Sequence, residues 1–250
     1  MFRNYSTPAI VIRKTRVGEI HKSLTLMTRG GLIRALAHGA YKIKSRFRIA
    51  SEPYSYLKVY LYHEPVKDQY KITDIEMIDL FEGIRESLVK FYTASLWAEV
   101  TLKSFGGGTG SAEIFELLLD ALHCLDECRA GREIMVSIQF LWRFLSIMGY
   151  GPALNTCYHC GTAIGQNEAS FFSENFSAFL CRGCAGSEAL ILLPGGRRYL
   201  EVTTGRPFRS AARVGLEEES VSALRKILYR FIQMVLEASL NSIKSGAGIL

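Results

Sequence analysis

Apolar and polar positions alternate through the first eighty residues. The segments AIVIRK (9–14), HKSLTLMT (21–28), GLIRALAHG (31–39), YSYLKVYLYH (54–63) and YKITDIEMID (70–79) are rich in β-branched and aromatic residues, with turn formers such as Gly18 and Gly30-Gly31 between them. A period of two over such runs predicts strands, and five short strands in succession predict a small closed or nearly closed antiparallel barrel. The OB-fold is the barrel of this size most often used for single-stranded nucleic acid, although a fold alone assigns no function.

After residue 80 the period lengthens. Leu80, Phe81, Ile84, Leu88, Phe91, Tyr92 and Leu96 recur at three- and four-residue steps, which predicts a helix over 79–105. GGGTG (106–110) interrupts it, and Ser111 offers an N-cap for AEIFELLLDALHCLDE. A third helix, EIMVSIQFLWRFLSIMG, ends near Gly149 with Pro152 beyond. A last runs through 216–243, with Glu217, Glu218 and Glu219 at the end where the helix dipole favours anions. The pattern describes an α+β multidomain chain, with a barrel domain at 1–80 and a helical domain at 81–250. The helices form one bundle in this reading, with a module at 155–190 inserted into it.

Charge changes the picture. Residues 1–50 hold 11 Lys/Arg against one acid, Glu19, whereas 51–150 hold 9 against 15 and 151–250 hold 10 against 8. The whole-chain charge of +6 therefore conceals a strongly basic N-terminal segment. Its densest part is GAYKIKSRFR (39–48), where Lys42, Lys44, Arg46 and Arg48 alternate with Tyr41, Ile43, Ser45 and Phe47. If extended, this stretch puts all four cations on one side of the chain. A solvated face is the plain reading. Basic charge gathered in one segment points beyond it to a polyanion, with nucleic acid foremost and an anionic membrane as the competitor. IQFLWRFLSIMG and ILYRFIQMVLEASL are broken by Arg, Gln or Glu before membrane-spanning length. MFRNYSTPAIVIRK lacks the apolar core of a signal peptide, so the expected location is the cytoplasm.

The sharpest chemical signal lies in the insert. CYHCG (157–161) and CRGC (181–184) place Cys157, Cys160, Cys181 and Cys184 in a C-x2-C…C-x2-C pattern. Two such knuckles complete a tetrahedral thiolate site, which suits a structural Zn²⁺ with no open position for water. An iron–sulfur cluster, a redox pair or unliganded thiols are the alternatives. His159 is redundant if all four cysteines bind, and is expected to be exposed or to support the ligands. Cys124 and Cys128 stand four apart on a predicted helix without a matching ligand pair, and read as structural. His21, His38, His63 and His123 are scattered, with no catalytic pairing evident, and no acidic cluster suggests a nuclease. GGGTGS lacks the Lys-Ser/Thr ending and preceding strand of a phosphate loop, and reads as a linker. PGGRRYLEVTTGRPFR (194–209) is a second basic stretch: either a further nucleic-acid surface carrying Arg197, Arg198, Arg206 and Arg209, or a solvated loop.

FLWRFLSIMGYGPALNTCYHCG (140–161) joins a helix ending in Gly-Tyr, then Pro and Leu, directly to the first knuckle. Together with GE (18–19), LMTRGGLIRALAHGAYKIKSR (26–46) and LNSIKS (240–245), it resembles the bacterial RecO family of recombination mediators over nearly the whole chain. One departure is Ser177-Ala178 just before the second knuckle, where zinc-bearing members often have Gly-Gly. The resemblance implies an N-terminal OB-fold, a helical domain and a zinc module carried by the latter. It implies DNA repair without enzymatic turnover: binding of single- and double-stranded DNA and annealing of complementary strands. It further implies partnership with RecR, contact with the C-terminal tail of single-strand-binding protein, and indirect help in loading RecA, at the nucleoid.

On this reading Arg29, Arg34, Lys42, Lys44, Arg46 and Arg48 form most of the DNA surface. Tyr41, Phe47, Tyr54, Tyr56, Tyr60 and Tyr62 are candidates to stack on bases, provided they face outward. The competing readings are a zinc-ribbon adaptor for RNA or a transcription complex, an enzyme acting on nucleic acid, and a scaffold with no nucleic-acid role.

Overall fold

Strand β1 (Asn4–Val17) is long enough to serve two neighbours. Its first half pairs with β4 (Tyr56–Glu64), from Asn4↔Tyr62 to Ile10↔Tyr56, and its second half with β2 (His21–Thr28), from Ile10↔Met27 to Val17↔His21. A bulge between Val11 and Arg13 marks the handover and turns the strand around the barrel. β2 pairs antiparallel with β3 (Gly31–Ala37), and β5 (Gln69–Asp79) pairs antiparallel with β4. A parallel contact of β3 with β5 closes the barrel in the order β1-β2-β3-β5-β4. This computed structural model describes residues 4–42, 45–104 and 110–250. The observed β2 has the bounds the alternation predicts. β1 begins five residues earlier than expected, because the polar run before Ala9 ends in Pro8 and hides a strand that β4 nevertheless pairs.

Alternation selects the barrel's interior. Leu57, Val59 and Leu61 point inward from β4 and join Ala9, Val11, Leu24, Leu26, Ala35, Ala37 and Ile72 in one core. Tyr56, Lys58, Tyr60, Tyr62 and Glu64 take the opposite face of the same strand. The basic stretch 39–48 is not an extended comb. After β3 the chain turns at Gly39 (φ +65°), where the Lys42 N–H returns to the Gly39 carbonyl at 3.0 Å. It then forms a single-turn helix α1 (Phe47–Ala50). The reason is closure: Phe47 packs against the barrel core and Ala50 belongs to it, so this connection covers the barrel's end instead of adding an edge.

The expected long helix over 79–105 is two. α2 (Glu82–Glu86) stops at an extended Ser87, and α3 (Leu88–Ser104) follows. α4 (Ser111–Glu127) returns so that Asp126 Oδ1 accepts the Ile84 N–H at 2.9 Å while its carbonyl accepts Lys90 Nζ at 2.7 Å. Only glycine suits position 83, since a Cβ there would lie 2.9 Å from the Asp126 carbonyl oxygen. α3 touches β1, and α4 touches β2 and β3. The chain divides into two compact units, one running to Glu127 and the other spanning Cys128–Gly248. The helices therefore do not form the single bundle expected: α2–α4 complete the unit that contains the barrel.

In the second unit α5 (Glu133–Ile147) packs on α7 (Phe208–Ala212) and α8 (Glu218–Val235). Between α5 and α7 run β6 (Ser170–Ser173), β7 (Ala178–Leu180), β8 (Leu190–Leu192) and α6 (Pro194–Thr204). The three strands form a sheet in the order β7-β6-β8, anchored where Phe172 meets Phe231 of α8 at 4.8 Å. The basic stretch 194–209 is thus largely helical. The last predicted helix breaks at Leu236 and resumes as α9 (Asn241–Ser245). No described helix is long and apolar enough to cross a membrane.

Candidate nucleic-acid interface and metal centre

The outer face of β1, β2 and β3 is built by register. Arg13 lies opposite Thr25, and Thr25 opposite Arg34, so two exposed arginines flank one rung. Neither has an ion-pair partner among the described residues. On β4 Tyr60 and Tyr62 face outward, with Lys58 Nζ 5.4 Å from the Tyr60 ring and Lys71 Nζ of β5 5.9 Å from that of Tyr62. Such spacing keeps each cation beside an aromatic face. Acids temper this side: Lys58 lies 3.9 Å from Glu76, and Lys71 lies 2.5 Å from Glu64.

A second group of cations gathers where β2 meets the β3–β4 connection. Lys22 is buried and donates to Ser51 Oγ (2.7 Å), Glu52 Oε1 (3.1 Å) and the Arg48 carbonyl (3.2 Å). Lys14 also pairs with Glu52. Burial raises the Glu52 carboxyl, but hydrogen bonds from Lys14 and Lys22 outweigh it and hold the group below its ordinary value. Tyr41 lies under two cations, 5.4 Å from Arg16 and 4.9 Å from Lys22.

The six expected DNA-contacting cations fare differently. Arg34, Lys42 and Arg48 are exposed, with no ion-pair partner among the described residues. Arg46 is exposed but lies 3.2 Å from Asp74. Arg29 turns to α4, 2.5 Å from Glu116 and 5.5 Å from the Phe115 ring, so it braces a helix against the barrel. Lys44 lies outside the described residues, as does most of GGGTGS. Among the described residues of this stretch the chain turns between Gly39 and Lys42 and is helical from Phe47, so Lys42, Arg46 and Arg48 are not united by alternation. Arg13 and Arg16, exposed on β1, lie outside the set the sequence pattern picked out. The available signal was RKTR before Gly18, which a strand-turn reading places on a protruding hairpin.

Among the aromatic candidates, Tyr60 and Tyr62 face outward and Tyr41 is 39% exposed. Tyr54 is instead buried, bonded to Ser95 Oγ at 2.8 Å, and Phe47 packs on the core, so neither is available to stack on a base. Tyr56 is half-buried and tilted against Phe115 at 6.2 Å. The basic stretch at 194–209 is likewise sorted by burial. Arg197 is 2% exposed and donates to the Gly165 carbonyl, so it ties α6 to the knuckle module and is no surface cation. Arg198, Arg206 and Arg209 are exposed.

The four insert cysteines converge: all their sulfurs lie within 4.8 Å of one another. Tetrahedral geometry with metal–sulfur bonds of about 2.3 Å separates sulfurs by about 3.8 Å, the distance found between Cys160 and Cys181. Local hydrogen bonds form each knuckle. The Gly161 N–H reaches the Cys157 carbonyl (2.9 Å), and the Cys184 and Ala185 N–H groups both reach that of Cys181 (3.1 Å). Burial pushes the Cys157 thiol up, but N–H groups of Cys160, Cys181 and His159 outweigh it and hold it at about 6. Hydrogen bonds with Cys160 and Cys181 push Cys184 up to about 12. Four sulfurs this close ionise together only around a cation, so the donor set fits a metal ion. Ser177 adopts φ +50°, and its N–H closes the turn on the Glu174 carbonyl at 3.2 Å. His159 is exposed beside Phe176. Cys124 and Cys128 form no disulfide and belong to no metal-holding group among the described residues.

A closed five-stranded barrel with exposed arginines on its outer face, followed by helices and a four-cysteine module, defines a protein of the OB-fold class with a candidate metal-binding module attached. The comparisons narrow the class. Residues 1–81 match the family model "Recombination protein O N terminal", and residues 85–244 match "Recombination protein O C terminal". The chain is 32% identical over 229 residues to the DNA repair protein RecO of Rubrobacter xylanophilus, covering 90% of this chain and 89% of that one. It is 30% identical to RecO of Pelotomaculum thermopropionicum over 241 residues, covering 95% and 91%. To RecO of Bacillus subtilis it is 28% identical over 222 residues, covering 88% and 84%. This chain belongs to the RecO family of DNA repair and recombination proteins.

Proposed function

We propose that this protein is a recombination mediator that binds single- and double-stranded DNA through its barrel and anneals complementary strands. Acting with RecR, it helps load RecA onto DNA coated by single-strand-binding protein, whose C-terminal tail it contacts. The cytoplasm, at the nucleoid, is where this work is done. The observation that carries the reading is the Arg13–Thr25–Arg34 rung, two unpaired arginines on an exposed barrel face, with Tyr60 and Tyr62 presented outward from β4. Cations release the counterions condensed on phosphate, which gives tight, salt-sensitive and largely sequence-independent binding. Outward tyrosines add base stacking without sequence preference. Annealing requires that the mutual repulsion of two phosphate backbones be screened, and a basic surface in contact with both does this without making or breaking a covalent bond.

Arg34, Lys42, Lys44, Arg46 and Arg48 are assigned to this surface from the original set, joined by Arg13 and Arg16. Cys157, Cys160, Cys181 and Cys184 hold Zn²⁺, whose part is to fix the fold of the 155–190 module within the second compact unit. The test is annealing of complementary strands precoated with single-strand-binding protein, followed across a salt titration. Acceleration at low salt that fades as salt rises is the expected result. No acceleration by folded, zinc-loaded protein would refute the reading and turn attention to RNA or protein partners.

A further inference from the structure

Ile20, His21, His38, Gly39, Lys42 and Ser45 line a cavity of about 350 Å³ at the end of β3. The two histidines, seventeen residues apart at the open end of the β2–β3 hairpin, meet edge to face with ring centroids 4.8 Å apart. Their polar neighbours are set to donate. The Gly39 N–H donates to His21 Nδ1 at 3.0 Å, so the neutral ring carries its proton on Nε2. Ser45 Oγ accepts the Phe47 N–H at 3.3 Å, which leaves its hydroxyl proton free to be given. Lys42 brings an ammonium that only donates, and its stem lies along the bare face of Gly39, with Cδ 3.3 Å from where a Cβ would stand. Among the described residues no acid lines the cavity, and Lys42 has no carboxylate partner. Glu52, the acid of the adjoining connection, is engaged by Lys14 and Lys22. Tyr41 links the cavity to that group: its N–H is bonded to the Ile20 carbonyl at 3.0 Å, and its ring lies beneath Arg16 and Lys22.

A recess whose polar walls donate, with positive charge around it, is complementary to an anion. We propose that this cavity is a phosphate site and that it receives the terminal phosphate of a nucleic-acid strand. The chemistry of the ester decides between the end and the middle of a strand. A phosphodiester offers two non-bridging oxygens and one charge, whereas a terminal monoester offers three oxygens and up to two charges. His21, Lys42 and Ser45, with His38 beside them, supply enough donors for the monoester. Assignment to a strand end rests on the DNA-binding reading above; the anion site does not.

The experiment has two arms on the full-length protein at one fixed pH. In the first, inorganic phosphate is titrated while the imidazole resonances of His21 and His38 are followed by NMR; a saturable shift of both is expected, and no shift overturns the anion site. In the second, one oligothymidylate is compared with a 5′-phosphate, with a 3′-phosphate and with neither. A tightening of about threefold by one terminal phosphate is expected, the scale of a single charge-assisted contact open to solvent. K42Q combined with S45A should bring that ratio to one. Equal affinities for all three oligonucleotides, with phosphate still shifting the histidines, overturn the strand-end assignment. If none of them binds while phosphate still shifts the histidines, the DNA-binding reading fails, the strand-end assignment fails with it, and the anion site stands.

Discussion

Lys22 and Glu52 meet at 3.1 Å where the barrel wall joins the β3–β4 connection, the lysine side chain 2% exposed and the glutamate 34%. Lys22 is a cation whose charge is satisfied inside the fold, and its pair fastens the connection that covers the barrel's end. E52Q should destabilise the protein by about 1–2 kcal/mol. That is less than for a fully buried pair, because Lys22 keeps Ser51 and the Arg48 carbonyl and Glu52 is partly screened. Since the folded protein holds Glu52 below its ordinary value of 4.5, its contribution is present above that pH and is lost as pH falls through the depressed value. Thermal unfolding of wild type and E52Q at pH 7 and in acid should show the gap closing in acid; a constant gap would refute the pairing.

Free and engaged cations should differ in salt dependence. R13E, R34E and R48E should each weaken DNA binding and lower the slope of log affinity against log salt by about one or more. R29E should change that slope far less and reduce thermal stability instead, because Arg29 is held by Glu116. Fluorescence anisotropy over a salt series separates the two patterns.

Stacking makes a different demand. Y60A and Y62A should each cost about 1–3 kcal/mol in binding single-stranded DNA, with the salt slope unchanged. Y54F removes a hydroxyl bonded to Ser95 and should affect stability but not DNA affinity. A loss of DNA affinity in Y54F equal to that in Y60A would overturn the division into outer and inner tyrosines.

Metal removal should act locally. One equivalent of zinc per chain is expected in purified protein, and C157S or C181S should abolish it. Limited proteolysis should then open the chain between 155 and 190, and cleavage there should be absent from the zinc-loaded wild type.

Arg197 provides the complementary control. Its guanidinium is buried on the Gly165 carbonyl, so R197A should loosen the knuckle module and lower the unfolding temperature while leaving the salt slope of DNA binding in place. A reduced slope would instead make Arg197 a phosphate contact.

Local pattern carried much of this molecule. Alternation in HKSLTLMT yields β2 with its observed bounds, because one face of that strand is core and the other is not. The C-x2-C spacings yield the four-cysteine cluster, because each knuckle is closed by hydrogen bonds within a few residues. The stretch 39–48 shows the limit of such patterns: a period of two is a strand signal only where the chain is extended, and among the described residues Gly39–Lys42 turn and Phe47–Ala50 are helical. Tyr54 shows the same limit: in YSYLKVYLYH it is indistinguishable from Tyr60, yet it is buried against Ser95 and Phe91.

The sequence by itself determined the strands of the barrel, the main helices, the two cysteine knuckles and the concentration of basic charge in the first fifty residues. All of these depend on neighbours close along the chain. Only the tertiary structure decided which cations remain free. Arg29 finds Glu116 eighty-seven residues away, Lys22 finds Glu52 thirty away, and Arg197 finds Gly165 thirty-two away. A side chain's charge is written in its residue type, but whether that charge faces a phosphate or a carboxylate depends on partners that only the folded chain brings within reach.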